Sequence, residues 1–285
     1  YERRAQRIPP GLDDKVLASW NGMMLASLAE AARVLDRDDY RQAAVRCGEF
    51  LLDTMTGENG RLFRTSKNGE AKLNAYLEDY ANVIDALIEL YQTTFDERWF
   101  VAAIEFADIA LDQFMTDEGG FYDTSDDHET LVVRPRNLQD NAVPSGNTMI
   151  ATQLIRLGAY TGDHRYDEVA RNVLRLLVNA MSEYPQAFAQ ALCALHFMVD
   201  GVAEVAIVGE PHMPETKGLL DVVRKPYRPG VIVALTSADV EGETTIPLLN
   251  YRTMRDGQPT VYVCENFACQ MPVTSAEDVE RLLSE

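Results

Sequence analysis

Three stretches of the chain follow one plan: "SWNGMMLASLAEAARVLDRDDYRQAAVRCGEFLLDTM", "LEDYANVIDALIELYQTTFDERWFVAAIEFADIALDQFM" and "PSGNTMIATQLIRLGAYTGDHRYDEVARNVLRLLVNAM". Aligned on Tyr40, Trp99 and Tyr166, they recur at separations of 59 and 67 residues. Each opens with a polar cluster, runs into an apolar helix, turns at a short Asp-containing connector and continues into a second helix. A unit of this kind cannot bury its apolar face alone, so the copies must stack on one another.

The two helices of a unit differ in kind. The second carries a single apolar stripe at helical spacing: Tyr40, Ala44, Cys47, Leu51 and Met55, then Trp99, Ala103, Phe106, Ala110 and Phe114, then Tyr166, Ala170, Val173 and Leu177. Its other face is charged, as at Arg41, Arg46 and Glu49, which places it outside with one face wet. The first is apolar almost all round, with narrow polar stripes at Ser27, Glu30 and Arg33, at Asn82, Asp85 and Glu89, and at Thr152 and Arg156. A helix of that composition belongs inside a ring of others. Inner helix plus outer helix, repeated, predicts a mainly α fold, a partial α/α toroid. Inner-to-outer links such as "LDRDD" and "TGDH" are tight, whereas the outer-to-inner links "TGENGRLFRTSKNGEAKLNA" and "TDEGGFYDTSDDHETLVVRPRNLQDNAV" are long. Each long link reads as a small β-excursion, at Arg61-Leu62-Phe63 and at Gly120-Phe121-Tyr122, and loops of that length in a compact domain are usually functional.

After a fourth inner-type helix, "PQAFAQALCALHFMV", the period changes. Residues 204–209, 231–237 and 260–270 read as strands, because they are β-branched runs bounded by Gly, Pro and polar residues, and helical segments near 214–224 and 276–284 alternate with them. The expected division is an incomplete toroid over 1–200 and a small C-terminal α/β unit over 201–285.

A net charge of −19 repels phosphate backbones and anionic lipid, which argues against nucleic-acid and membrane partners. No apolar run approaches the roughly 20 residues of a membrane span, and "YERRAQRIPPG" lacks the apolar core of a secretory signal. The first residue is not Met, so the chain is expected to be a piece of a longer one. Four cysteines are too few for a disulfide framework at 285 residues, and a cytoplasmic location is expected. "AIVGEPHMPE" lacks the glycines of a phosphate loop, and no Ser-His-Asp or metal-ligand spacing stands out, so neither cofactor nor metal is expected.

Three polar-aromatic clusters open the inner helices and so fall on one end of one ring. "GLDDKVLASWNG" brings Asp13, Asp14, Lys15, Trp20 and Asn21 to the first, where Ser19 or Asn21 is placed to cap. "YLEDYAN" sets Glu78 and Asp79 between Tyr76 and Tyr80, and "DNAVPSGN" supplies Asp140, Asn141, Ser145 and Asn147. Helix capping and the helix dipole account for many of these acids. They do not account for Trp20, a flat apolar plate beside hydrogen-bonding groups, which is what a sugar ring needs. On the functional reading Asp14, Glu78 and Asp79 are the candidate acid–base groups and Trp20 and Tyr80 the stacking plates. Asp13, Lys15, Asn21, Asp140, Asn141 and Asn147 then complete the ligand contacts. The converging helix N-termini add partial positive charge there.

"RIPPGLDDKVLASWNGMMLASLAEAARVL", "YLEDYANVIDALIELYQTTFDERW", "DNAVPSGNTM" and "VYVCENFACQMPV" resemble, over essentially the whole chain, the C-terminal half of the spermatogenesis-associated protein 20 family of thioredoxin-domain-containing proteins. The resemblance implies a domain similar to the six-hairpin glycosidases and to N-acylglucosamine 2-epimerase. The family's thioredoxin-like part, with its Cys-x-x-Cys, and the early hairpins of the ring are absent from this sequence. Four inner and three outer helices cannot close a six-hairpin ring, so exposed flanks are expected, with either self-association or a distorted open half-ring. In the epimerase comparison histidines move the protons. Here only His196, among His128, His164, His196 and His212, falls on an inner helix, at the end away from the clusters. Two functions follow: a sugar-binding, epimerase- or hydrolase-like domain, or a non-catalytic domain presenting substrates to a thioredoxin-like partner. Cys264 and Cys269 in "CENFAC" are either buried apolar residues or a redox pair for that partner.

Overall fold

The computed structural model describes residues 1–129 and 131–284. Their helices are α1 (Glu2–Ala5), α2 (Ala18–Leu35), α3 (Asp38–Asp53), α4 (Leu77–Thr94), α5 (Glu97–Phe114), α6 (Gly146–Thr161), α7 (His164–Glu183), α8 (Ala189–Asp200), α9 (Pro214–Arg224) and α10 (Ala276–Leu282). The strands are β1 (Val16–Leu17), β2 (Phe63–Lys67), β3 (Glu70–Asn74), β4 (Ala203–Val208), β5 (Val231–Thr236), β6 (Thr260–Glu265) and β7 (Ala268–Cys269). The chain is mainly helical up to residue 200 and mixes strand with helix beyond it.

Helical hairpins α2–α3, α4–α5 and α6–α7 stand in a row, and α2, α4, α6 and α8 pack side by side as the inner layer. The tight connectors explain the hairpins. Inner helices end on left-handed residues, Asp36 (φ 50°), Phe95 (φ 56°) and Gly162 (φ 72°). Asp96 and Asp163 then cap the next helix by accepting from Arg98 N at 3.1 Å and Arg165 N at 3.0 Å. Outer helices bury one stripe, for example Trp99, Ala103, Phe106, Ala110 and Phe114 in α5. α4 and α6 are buried on almost every side. The two end helices of the inner layer are not: Met24, Val34 and Leu35 of α2 and Leu192 and Val199 of α8 lie exposed.

The inner helices approach closely. A Cβ on Gly22 of α2 would stand 2.7 Å from the backbone oxygen of Asn82 in α4. The first β-excursion is a hairpin, β2–β3, turning on Asn68-Gly69 with both φ positive, the Asn-Gly signature of a two-residue turn. Its outer edge pairs with β1, a two-residue strand on the approach to α2. The second excursion is reduced to a single bridge, Met115 to Phe121.

In the C-terminal part the strand order is β5-β4-β6-β7, with β4 parallel to β5 and antiparallel to β6. The predicted strand 260–270 is in fact a hairpin, because Asn266 and Phe267 turn the chain with left-handed backbones (φ 49° and 61°). Strand alternation splits the sheet's side chains. Val205, Ile207, Val233, Leu235, Val261 and Val263 pack with α9 and α10, while Ala206, Val208, Ile232, Ala234 and Tyr262 join the helical core. The sheet docks on the C-terminal ends of the inner helices, where Tyr160 Oη donates to Val233 O and Val233 N donates to Gln92 Oε1, each at 3.0 Å. One end of the inner layer is therefore covered, and the other carries the helix N-termini.

Candidate functional site: the helix mouth and the cleft behind it

Two carboxylates tie the N-termini of all four inner helices together. Asp79 accepts from Ser19 N of α2 at 3.0 Å through Oδ1 and from Tyr76 N at 2.9 Å through Oδ2. Asp140 accepts from Ser145 N at 3.0 Å and, through its other oxygen, from Gln190 N of α8 at 2.8 Å. The first turn of α6 abuts that of α4, since a Cβ on Gly146 would lie 3.0 Å from Glu78 N. The three clusters therefore share one end of the molecule. The expected cap of α2, Ser19 or Asn21, is not formed by either side chain. A carboxylate from the neighbouring helix takes the orphan N–H instead, and Asn21 Nδ2 donates to Leu17 O at 2.8 Å.

Arg64, on β2, bridges Glu78 and Asp79, donating at 2.8 Å to each. Its guanidinium lies 4.1 Å from the Tyr76 ring centroid, and His128 meets the same ring edge-on at 5.6 Å. Asp79 is 0% exposed with both oxygens engaged, and burial pushes its carboxyl up against the pull of Arg64. It is a positioning residue rather than a free acid or base. Glu78 keeps 34% of its side chain exposed. Asp123, half-buried and accepting from Asn137 N at 2.9 Å, is raised first by burial and further by the charge of Glu78. Glu78 and Asp123 are thus neighbouring carboxyls of which one is pushed toward the protonated form. Trp20 is 64% exposed in the first turn of α2.

Several sequence assignments change. Tyr80 is not a stacking plate: it is 0% exposed, edge-on to Phe106 and Phe114, and its hydroxyl accepts from Leu62 N at 3.0 Å. Asn147 is wholly buried and brackets Phe121, accepting from its N at 2.8 Å and donating to its O at 3.0 Å, so it anchors the second long link. Asp140 is likewise committed to backbone and Thr148. Asp13, Asp14 and Lys15 are exposed. Asp14 pairs with Lys67 at 2.5 Å, which lowers its carboxyl, and Asp13 sits 3.4 Å from Lys15. Asn141 is exposed in the loop before α6. Arg64, Asp123 and His128 were not anticipated.

Behind the mouth, the polar stripes of the inner helices line a cleft of about 560 Å³ whose far wall is the segment from Val223 to Val233. Its centre is a charge network. Glu89 is held by both Arg33 and Arg156, and Arg156 Nη1 also donates to Asp85 at 2.9 Å. Burial would raise Glu89, but the two guanidiniums pull it down to about 2. Asp85 goes the other way, to about 6, because burial and the charges of Glu89 and Glu30 outweigh Arg156. Gln190, whose backbone is held at the mouth by Asp140, donates through Nε2 to Thr152 at 2.9 Å within the cleft.

Cys264 and Cys269 are bonded to each other across β6–β7, and Arg252 Nη2 lies 2.9 Å from Cys269 Sγ. The reading of two separate buried thiols is thereby replaced. His196 is paired with Asp200 at 2.6 Å on the exposed end of α8, away from the mouth.

No protein-family model matches the chain. Human spermatogenesis-associated protein 20 is 30% identical over 296 residues, which cover 99% of this chain and 38% of the human protein. An uncharacterised protein of Caenorhabditis elegans is 28% identical over 295 residues, covering 100% of this chain and 40% of its own. The chain is a homologue of spermatogenesis-associated protein 20. It spans about two fifths of the length of these relatives. Among solved structures, the α-mannanase BT2949 of Bacteroides thetaiotaomicron superposes with a TM-score of 0.52 at 14% identity, over 69% of this chain and 55% of that one. At that identity the likeness is one of fold. No described helix is long and apolar enough to cross a membrane.

Proposed function

We propose that this homologue of spermatogenesis-associated protein 20 is a partial α/α toroid that binds a carbohydrate-like ligand at the mouth formed by its inner-helix N-termini. The observation that carries this reading is the Arg64–Glu78–Asp79 cluster at the inner-helix N-termini, with Glu78 partly open to solvent, Tyr76 stacked on Arg64, and Trp20 exposed in the first turn of the neighbouring α2. Trp20 offers a ring face for sugar C–H groups, Glu78 and Asn141 offer hydroxyl partners, and Asp79 fixes Arg64. Glu78 and Asp123, whose carboxyl burial pushes toward the protonated form, supply the pair that acid–base work at a hemiacetal or glycosidic carbon requires. The fold shared with an α-mannanase fits this reading.

Titration calorimetry with a panel of mono- and disaccharides tests it. At least one sugar should bind, and Glu78→Gln and Trp20→Ala should each weaken it about tenfold or more while unfolding as wild type does. Absence of any binder, or variants that bind as wild type does, contradicts it.

The bonded pair Cys264–Cys269 favours a second reading, a domain that serves a dithiol-bearing partner module. Arg252 at the sulfurs would stabilise a leaving thiolate. On this reading a thioredoxin-like dithiol protein reduces the bond to two thiols, itself becoming the disulfide, much faster than dithiothreitol at equal concentration. Equal rates would exclude it.

A further inference from the structure

The far wall of the cleft carries a cation that the mouth does not use. Arg224, the last residue of α9, donates through Nη2 to Gln92 O, with its guanidinium carbon 5.1 Å from the Phe95 ring centroid. The other cations lining the cleft are neutralised. Arg33 and Arg156 share Glu89, and Arg156 also has Asp85. Lys225 pairs with Asp221 at 3.0 Å and Arg228 with Glu280 at 2.9 Å. Among the described residues Arg224 has no carboxylate partner, and its Nε and Nη1 have no protein acceptor while the residue lines the cleft. Burial, and then the charge of Arg33, pull its pKa down to about 10. An unneutralised guanidinium partly withdrawn from water gains strongly from an anion it can hydrogen-bond. The same cleft presents Thr152, Gln153 and Gln190, which suit hydroxyl groups, and its volume of about 560 Å³ is that of a small-molecule site.

We propose that this end of the cleft is an anion site, in which Arg224 takes a carboxylate or phosphate group of a small molecule bound in the cleft itself, about 20 Å along α4 from Glu78. That this molecule is a sugar rests on the reading of the mouth given above; the anion site does not.

The test compares glucose, glucuronate, glucose 6-phosphate and inorganic phosphate on the intact chain at low ionic strength, by calorimetry. The expected result is that at least one charged sugar binds about tenfold or more tightly than glucose. That advantage should be lost in Arg224→Gln, kept in Lys225→Gln, and competed away by the matching free anion. Advantage with glucose 6-phosphate alone assigns phosphate, and with glucuronate alone assigns carboxylate. Equal binding of charged and uncharged sugars, or an advantage that survives Arg224→Gln, overturns the anion site and leaves the sugar reading standing. Should no sugar bind, that reading fails, and phosphate binding that requires Arg224 still upholds the anion site, whereas its absence overturns it. If Arg224→Gln does not fold, competition by the free anion on wild type decides: displacement of the charged sugar but not of glucose supports the site, and no displacement overturns it.

Discussion

Replacing Gly22 by alanine probes the contact on which the mouth depends. A Cβ at that position would meet Asn82 O at 2.7 Å, Asn82 C at 2.8 Å and Val83 N at 3.1 Å, all of them backbone atoms of α4. Ordinary contact is about 3.5 Å or more, and backbone cannot rotate aside as a side chain can. The substitution gains up to about 1 kcal/mol from helix propensity. It loses about 2–3 kcal/mol, the upper part of the range for overpacking, because the two helices must part. The net expectation is destabilisation by about 1–2 kcal/mol, equivalent to a fall in melting temperature of roughly 2–3 °C for a chain of this size. Urea unfolding followed by circular dichroism and by tryptophan fluorescence measures it. Gly218, exposed in α9 with nothing within 4 Å of its virtual Cβ, is the internal control, and Gly218→Ala should stabilise by about 0.5–1 kcal/mol. If Gly22→Ala stabilises as the control does, α2 and α4 are not in backbone contact and the placement of Ser19 against Asp79 falls with it.

The charge network sets an acid limb. Glu89, held at about 2 against 4.5 when unperturbed, contributes stability that is present above 4.5 and lost as pH falls toward 2, an effect of about 3 kcal/mol. Glu89→Gln should be less stable at neutral pH and show a flatter acid limb in urea titrations, and an unchanged slope would count against the network. Asp85, raised to about 6, acts oppositely: its contribution is present below 3.8 and fades as pH rises through 6, and Asp85→Asn should remove that loss. Alkylation without reductant should label Cys47 and Cys193 but not Cys264 or Cys269, and labelling of all four would refute the bond. The apolar flanks of α2 and α8 should cause self-association, seen by light scattering as a mass above 31.9 kDa that grows with concentration. A clean monomer speaks against it.

The helical layout was legible because burial demand writes itself into spacing. The stripe of α5 could be read from Trp99 to Phe114, and Asp96 and Asp163 marked the turns. Tyr80 was misassigned although the signal was there. With Ile84, Leu87 and Tyr91 it falls on the apolar period of α4, and only its neighbours in "YLEDYAN" suggested a surface role. The sequence reads Asp79 as an acid–base group and Asp140 as a ligand contact; that each instead serves a second helix is a long-range fact with no local trace. Arg64 and Asp123 were missed for the same reason. Arg64 sits on the short strand β2 and Asp123 in an irregular link, too little regular structure for a period to report where either side chain points, and tertiary packing alone brings them to Glu78. The pair of cysteines was visible, but the Asn266-Phe267 turn that sets them opposite one another requires left-handed backbone at two non-glycine residues, which sequence disfavours.

Hydrogen exchange followed by mass spectrometry, with and without a sugar that binds, tests the central claim most directly. A ligand held at the mouth should slow exchange in the first turns of α2, α4 and α6 and in the link around Asp123, and leave α3, α5 and α7 as they were. Slowing confined to the outer helices or to the C-terminal sheet, with the helix N-termini unchanged, would contradict it.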